Sequence, residues 1–195
     1  MLQPVLDELA AQMDNTCFLA RLSDYTTIRP IAWAIPADGI GAYVVSGGDM
    51  PVHASATAKA IMAFQDDDTI KRALSGTLAK MTPKTITSRS RIQAEYRTIR
   101  ERGYATCWGE IEEGFGAIAC PVHIPQMGVI YSIGTSGIAS RLKRRRLQDT
   151  VATLKAYADE LARRLPVITT ESARSGTSSA APRSLLRAEE GFSDA

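Results

Sequence analysis

The stretch "YATCWGEIEEGFGAIACPVHIPQMGVIYSIGTS", residues 104–136, decides the fold. It contains three runs rich in β-branched, aromatic and small apolar residues, at 104–108, 116–124 and 128–136. Residues 125–128 join the last two runs and are few enough for a tight turn. The stretch therefore predicts three antiparallel strands.

The N-terminal part of the chain predicts one helix and three more strands. Apolar residues at helical spacing over residues 2–13 indicate an amphipathic helix that ends near Asp14. Residues 15–35 form two β-rich runs, which predict a hairpin whose second strand is confined by Pro30 to an edge or a bulge. "GAYVVSGG", residues 41–48, predicts a third strand that glycines close.

Helical patterns occupy the segments between and after these strands. Residues 50–64 open with Pro51 and small residues and continue as an apolar helix, for which Ser55 is the expected cap. The acids at residues 66–68 predict the start of another short helix, since negative charge opposes the helix dipole. Two further helices are indicated by apolar residues three and four apart: Ile92, Tyr96 and Ile99, before Gly103, and Leu147, Val151, Leu154, Ala158, Leu161 and Leu165.

This order of elements predicts an α+β fold, in which helices pack on the faces of an antiparallel sheet of about six strands. It is the outline of a GAF- or PAS-like sensor domain, and such folds hold small molecules between the sheet and its covering helices. At 195 residues the chain suits one such domain, which we assign to residues 1–168. Residues 169–195 are rich in Ser, Thr, Ala and Gly, and we expect a disordered tail there.

Charge and composition narrow the function classes. The 23 Lys and Arg residues against 21 Asp and Glu give a net charge of +2, too small to argue for nucleic acid or an anionic membrane. No apolar run approaches the roughly 20 residues of a membrane span, and the acidic start does not resemble a signal peptide. Three scattered cysteines argue for reduced thiols. We expect a cytoplasmic location and no membrane partner.

The histidines and cysteines carry little catalytic signal. His53 and His123 are the two histidines, and Cys120 and His123 lie three residues apart in a predicted strand, where an odd separation sends side chains to opposite faces. We therefore predict buried core cysteines, with no catalytic residues, no metal site and no cofactor. The alternative is a small thiol-dependent hydrolase that uses Cys107 or Cys120 with His123.

Two charged runs have simple interpretations. "RLKRRR", residues 141–146, lacks any accompanying nucleic-acid motif, and we interpret it as an exposed turn before the last helix. "EIEEGFG", residues 110–116, places three acids beside a glycine turn, and we interpret it as a solvated connection.

Five motifs in register identify the family. They are "MPVHASATAKAIMAF", "MTPKTIT", "RIQAEYRTIRERGYAT", "EEGFGAIACPV" and "SIGTSGIASRL". In this order and at these intervals they resemble the effector-binding domain of the IclR family of bacterial transcription regulators, over about residues 2–165. The resemblance implies a ligand-sensing domain with a GAF-like sheet that assembles as a homodimer or homotetramer.

In the family this domain follows a winged helix-turn-helix that binds operator DNA. That part has no counterpart in this sequence, so we expect DNA contact only through a domain that this chain lacks. An excised domain and a natural headless relative remain alternatives.

The resemblance also implies a site. In family members that bind small oxoacids, the effector carboxylate lies at the helix start that matches Ala56 and Thr57. Polar partners come from the strand after "GYA" and from the last two strands. By position, the predicted effector-binding residues of this chain are Ser55, Ala56, Thr57, Cys107, Ala117, Gly134 and Ser136.

Of the strand positions in this site, only Ser136 keeps the polar residue of the family. The family's Asp, Cys and first Ser fall on Cys107, Ala117 and Gly134, which are smaller or less polar. The implied effector is therefore a small carboxylate with an apolar, for example aromatic, body rather than a glyoxylate-like acid.

Overall fold

The computed structural model describes residues 2–36 and 48–175, and their side chains as far as Leu165. These residues form six helices and five strands. The helices are α1 (Gln3–Met13), α2 (Ala56–Met62), α3 (Asp67–Ala73), α4 (Arg89–Arg102), α5 (Ala139–Leu142) and α6 (Leu147–Ser175). The strands are β1 (Thr16–Asp24), β2 (Thr27–Ala34), β3 (Ala105–Trp108), β4 (Phe115–Ile124) and β5 (Gly128–Ile138).

The strands form one antiparallel sheet in the order β2-β1-β5-β4-β3. The chain crosses from the β1–β2 hairpin to the β3–β5 group through α2, α3 and α4, and β5 then pairs with β1 in the middle of the sheet. The α+β prediction is confirmed. The described sheet has five strands rather than about six, and the predicted strand at 41–48 lies almost wholly outside the described residues, which resume at residue 48.

Local predictions for the turns are confirmed. β2 lies at the edge of the described sheet, and a register shift beside Pro30 marks the expected irregularity. The β4–β5 connection uses positive φ at Gln126 (69°) and Gly128 (71°), as a tight turn requires. Gly103 ends α4 in the left-handed region (φ 75°).

Alternation along the strands creates two cores, one on each face of the sheet. In β1, Cys17 and Leu19 point to the face covered by α1 and α6, whereas Phe18 and Ala20 point to the face covered by α2 and α4. The predicted apolar faces of α4 and α6 are buried against these two cores. The second core contains the candidate site.

The last helix is longer than predicted. Helix α6 continues to Ser175, so residues 169–175 are helical rather than part of a disordered tail, and residues 176–195 lie outside the described part. No helix within the described ranges has a segment of the length and hydropathy that a membrane crossing needs.

Candidate functional site

A cavity lies between the sheet and the start of α2, and the β3–β4 loop closes one side. Its volume is about 70 Å³ when measured to the centres of water-sized spheres. One water needs roughly 10–15 Å³ on this measure, so the cavity has room for about five waters, or about 150 Å³ of liquid. That is the size of a small organic molecule. The residues that line the cavity are Phe18, Met50, Pro51, Ser55, Ala56, Cys107, Ile111, Glu112, Phe115, Gly116, Ala117 and Ser136.

The floor of the cavity is a row of residues across three strands. Cys107 of β3 is paired with Ala117 of β4, which is paired with Ser136 of β5. Directly opposed residues of antiparallel strands project from the same face, and neighbouring strands lie about 4.8 Å apart. The floor from Cys107 to Ser136 is therefore about 10 Å long, which suits a ligand with a single aromatic ring.

The roof is the start of α2. Ser55 is the N-cap, and its Oγ accepts a hydrogen bond from the Ala58 N–H at 3.5 Å, which confirms the predicted cap. The N–H groups of Ala56 and Thr57 have no partner among the described residues. Ser55 and Ala56, which have small side chains, are the residues of this helix start that line the cavity.

Five of the seven predicted site residues line the cavity, and two do not. Ser55, Ala56, Cys107, Ala117 and Ser136 surround it. Thr57 and Gly134 are buried in the packing between α2 and the sheet.

Thr57 and Gly134 contribute to helix-to-sheet packing. Thr57 is completely buried, and its carbonyl oxygen accepts a hydrogen bond of 3.0 Å from Ser132 Oγ on β5. A Cβ at Gly134 would lie 3.1 Å from the Cβ of Ala119 and 3.0 Å from a carbonyl oxygen of β4, so there is little space for a side chain. The resemblance aligned these positions with the site, but neither residue lines the cavity. Gly134 is two residues from Ser136 on β5 and lies on the same face of the sheet, where it packs against Ala119.

Ser136 is the unsatisfied polar group of the cavity. Its side chain is 9% exposed and its Oγ has no hydrogen-bond partner among the described atoms. A buried hydroxyl without a partner costs about 1–3 kcal/mol. The hydroxyl therefore favours a bound polar atom at this end of an otherwise largely apolar cavity.

Glu112 is the one charged residue among the described lining residues. Its side chain is only partly buried, which places it towards solvent rather than on the floor. A negatively charged ligand is repelled by this carboxylate and is best accommodated with its charge away from Glu112.

A buried ion cluster, which the sequence did not reveal, supports the site. Lys59 is completely buried on α2, and its Nζ lies 2.8 Å from Glu95 Oε1 and 2.9 Å from both carboxylate oxygens of Glu110. Burial raises the pKa of the Glu110 carboxyl against the opposing attraction of Lys59. The prediction of a solvated connection is therefore wrong for Glu110. The only signal in the sequence was a lysine within an apolar helical run.

The "MTPKTIT" motif also anchors the beginning of the β3–β4 loop, through two threonine hydroxyls. Thr82 Oγ1 donates to the Gly109 carbonyl oxygen at 2.6 Å, and Thr85 Oγ1 donates to the Glu110 carbonyl oxygen at 2.5 Å. These contacts and Lys59 anchor the beginning of the β3–β4 loop, whose next residues line the cavity.

The thiols do not have the environment of a nucleophile. All three cysteines are buried, and burial raises the pKa of Cys17 and of Cys120 to about 12 and also raises the pKa of Cys107. Cys120 is in the core under α6, whereas His123 is exposed and contacts Phe64 edge to face, so the prediction of opposite faces is confirmed. This arrangement does not favour the hydrolase alternative.

The basic run is exposed apart from Leu142, as predicted. Arg145 donates to the Gln12 carbonyl oxygen at 2.8 Å, and Lys143 lies over the Trp108 ring. These contacts fix the turn between α5 and α6 to the rest of the domain.

Comparisons with known proteins agree with the fold and the motifs. The family described as "Bacterial transcriptional regulator IclR C-terminal" matches residues 1–163. The HTH-type transcriptional regulator KdgR of Escherichia coli is 34% identical over 112 residues, which are 57% of this chain and 43% of KdgR. The chain is thus similar to less than half of that relative.

Two solved structures have the same fold. The C-terminal domain of E. coli KdgR has a TM-score of 0.71 and 28% identity, and the match covers 82% of this chain and 93% of that one. A double mutant of the PobR inducer-binding domain from Acinetobacter, in complex with 3-hydroxybenzoic acid, has a TM-score of 0.70 and 25% identity, with coverage of 82% and 94%. These relatives are transcription regulators rather than enzymes. The chain therefore belongs to the IclR family of bacterial transcriptional regulators, and it corresponds to their C-terminal, effector-binding domain.

Proposed function

We propose that this domain senses a small carboxylate with an apolar, preferably aromatic, body. The observation that carries the proposal is the buried, partnerless Ser136 Oγ in a largely apolar cavity. The carboxylate accepts a hydrogen bond from this hydroxyl, and the body of the ligand lies along Ala117 towards Cys107. The apolar floor and the cavity volume support a ring better than the short, fully polar glyoxylate.

Two further observations support this class of ligand. The first-turn N–H groups of α2 favour an anion, although a helix of seven residues contributes only at the lower end of the range, about 0.3 kcal/mol. A double mutant of the PobR inducer-binding domain, a relative at 25% identity, forms a complex with 3-hydroxybenzoic acid. An aromatic acid therefore has both the size and the polarity that the cavity accommodates.

The proposed regulatory mechanism is a population shift. Effector binding favours one arrangement of a homodimer or homotetramer, and this sets the spacing of helix-turn-helix domains that contact DNA and control transcription. We place this activity in the cytoplasm. Exposed apolar residues on β2 and just after it support an oligomer: Ile31, Trp33 and Ile35 are 42%, 41% and 50% exposed and recur at every second position.

Ligand-dependent thermal melting tests the proposed ligand. Benzoate, 3-hydroxybenzoate, aliphatic carboxylates, pyruvate and glyoxylate are compared with benzamide, which keeps the ring and removes the charge. A ligand at 100 times its dissociation constant stabilises the fold by about 2.7 kcal/mol, which gives a readily measured shift. We expect the aromatic acids to stabilise most.

Variants test the position of the ligand. Ser136→Ala should weaken benzoate binding, whereas Ser140→Ala, at an exposed position, should not. Stronger stabilisation by glyoxylate or by benzamide than by benzoate contradicts the proposed ligand class. Unchanged benzoate affinity in Ser136→Ala contradicts the proposed site.

A further inference from the structure

A second partnerless hydroxyl lies next to Ser136. Thr16 of β1 is the residue directly opposite Ser136 in the β1–β5 pair, and the two side chains project from the same face of the sheet. Thr16 is 1% exposed, and its Oγ1 also has no hydrogen-bond partner among the described atoms. Thr16 is not among the residues that line the cavity, so it is not placed to contact a ligand there itself.

Other buried hydroxyls of the same strand are satisfied. Ser132 Oγ donates to the Thr57 carbonyl oxygen, and Thr135 Oγ1 donates to the Thr16 carbonyl oxygen. The absence of partners is therefore a property of the Thr16–Ser136 position and not of β5 in general. Directly opposed residues have Cβ atoms about 4.5–5.5 Å apart, so rotation of the two hydroxyls brings their oxygens within hydrogen-bond distance.

The burial of Thr16 determines the direction of a hydrogen bond between the two. If Thr16 donates to Ser136 Oγ, the Ser136 proton is free for an acceptor in the cavity, and both protons are used. If Ser136 donates to Thr16 instead, the Thr16 proton is left without an acceptor in a buried place. An unsatisfied buried donor costs about 1–3 kcal/mol, so the first direction is favoured.

We propose that Thr16 and Ser136 form a two-hydroxyl relay that binds one carboxylate oxygen of the effector. Ser136 contacts the ligand, and Thr16 is a positioning residue that orients the Ser136 hydroxyl and strengthens its hydrogen bond. The relay requires an acceptor atom on the ligand. This inference rests on the proposed carboxylate ligand and adds a residue that does not itself contact it.

The test measures benzoate affinity by titration calorimetry on four variants, beside the single variant Ser136→Ala. Thr16→Val keeps the side-chain shape and removes the hydroxyl, and we expect roughly five- to tenfold weaker binding. Thr16→Ser restores a hydroxyl and should bind as the natural chain does. Thr150→Val is the matched control, because Thr150 is 2% exposed and also partnerless but lies on α6 and does not line the cavity. It should leave the affinity unchanged.

The fourth variant, Thr16→Val with Ser136→Ala, tests whether Thr16 acts through Ser136. We expect it to bind benzoate no more weakly than Ser136→Ala alone, because a relay loses both effects when Ser136 is removed. Additive losses contradict the relay. So does a loss in Thr16→Ser or Thr150→Val as large as that in Thr16→Val, since packing then explains the effect.

Different experimental results contradict the relay and the proposed ligand. If Ser136→Ala weakens benzoate binding and Thr16→Val does not, the relay is wrong and the carboxylate site stands. If none of the screened carboxylates binds the natural chain, the proposed ligand is wrong and the relay is wrong with it.

Discussion

Replacing Lys59 by Met should destabilise the domain severely. Lys59 is completely buried and holds three carboxylate oxygens at 2.8–2.9 Å. The change keeps the volume but leaves Glu110, whose side chain is 12% exposed, as an uncompensated buried charge. Breaking a buried ion pair in this way costs about 3–5 kcal/mol, a large part of the roughly 5–15 kcal/mol that stabilises a domain.

A surface ion pair provides the control. Lys71 lies 3.3 Å from Asp68, and the two side chains are 68% and 85% exposed. Lys71→Met should change the free energy of unfolding by about 0.5 kcal/mol or less, because solvent screens the pair. Urea unfolding followed by circular dichroism at pH 7 measures both variants.

The contribution of Glu110 to the stability of the fold changes with pH in a definite direction. Burial raises the pKa of Glu110 in the folded chain, so the folded chain holds a proton on it over a pH range where the unfolded chain has lost that proton. The Glu110 contribution to stability is therefore most favourable below the unfolded pKa and falls as the pH rises through the folded pKa. Removing Lys59 removes an attraction that lowers the pKa of Glu110. The loss in the free energy of unfolding caused by Lys59→Met should therefore be larger at pH 8 than at pH 5.

A double variant separates the effect of the uncompensated charge on Glu110 from the effect of changed packing at Lys59. Lys59→Met with Glu110→Gln removes the uncompensated charge, and we expect it to recover at least about 2 kcal/mol relative to Lys59→Met alone. A Lys59→Met variant no less stable than Lys71→Met would refute the reasoning. A double variant no more stable than Lys59→Met would refute it as well.

Three further predictions concern the surface, the cavity rim and the thiols. Trp33→Glu should shift the oligomer towards monomer in light scattering. Tyr25→Glu should not, because Tyr25 lies at the hairpin end and is 71% exposed. A natural chain that is monomeric at micromolar concentration contradicts the proposed assembly. Glu112→Gln should tighten benzoate binding by about two- to fivefold, because it removes a like charge from the cavity lining and solvent screens part of that repulsion; weaker binding would show that Glu112 assists the ligand. The three buried thiols should be alkylated slowly in the folded state, with little change between pH 6 and 8, and one fast thiol would revive the hydrolase alternative.

The sequence predicted those features that depend on neighbouring residues. Ser55 caps α2, Gly103 ends α4 and Pro30 lies at the irregular edge strand, because capping, positive φ and the missing proline donor act within a few residues. The two-residue alternation of the strands also predicted that Cys120 and His123 occupy opposite faces. Family resemblance added five of the twelve residues that line the cavity in the described part of the chain, although it did not separate Thr57 and Gly134 from the lining residues.

Only the tertiary structure decided which distant residues meet. Lys59 and Glu110 are 51 positions apart, and nothing in the local pattern shows that the loop returns over α2 to bury both charges. Thr16 and Ser136 are direct neighbours only because β5 pairs with β1 across the whole intervening chain. By itself, then, the sequence determined the elements and their faces, since these follow from short-range sterics and periodicity, and the resemblance of five motifs indicated the family. Strand order and register decided the site, because they bring one unsatisfied hydroxyl beside another and into an apolar cavity.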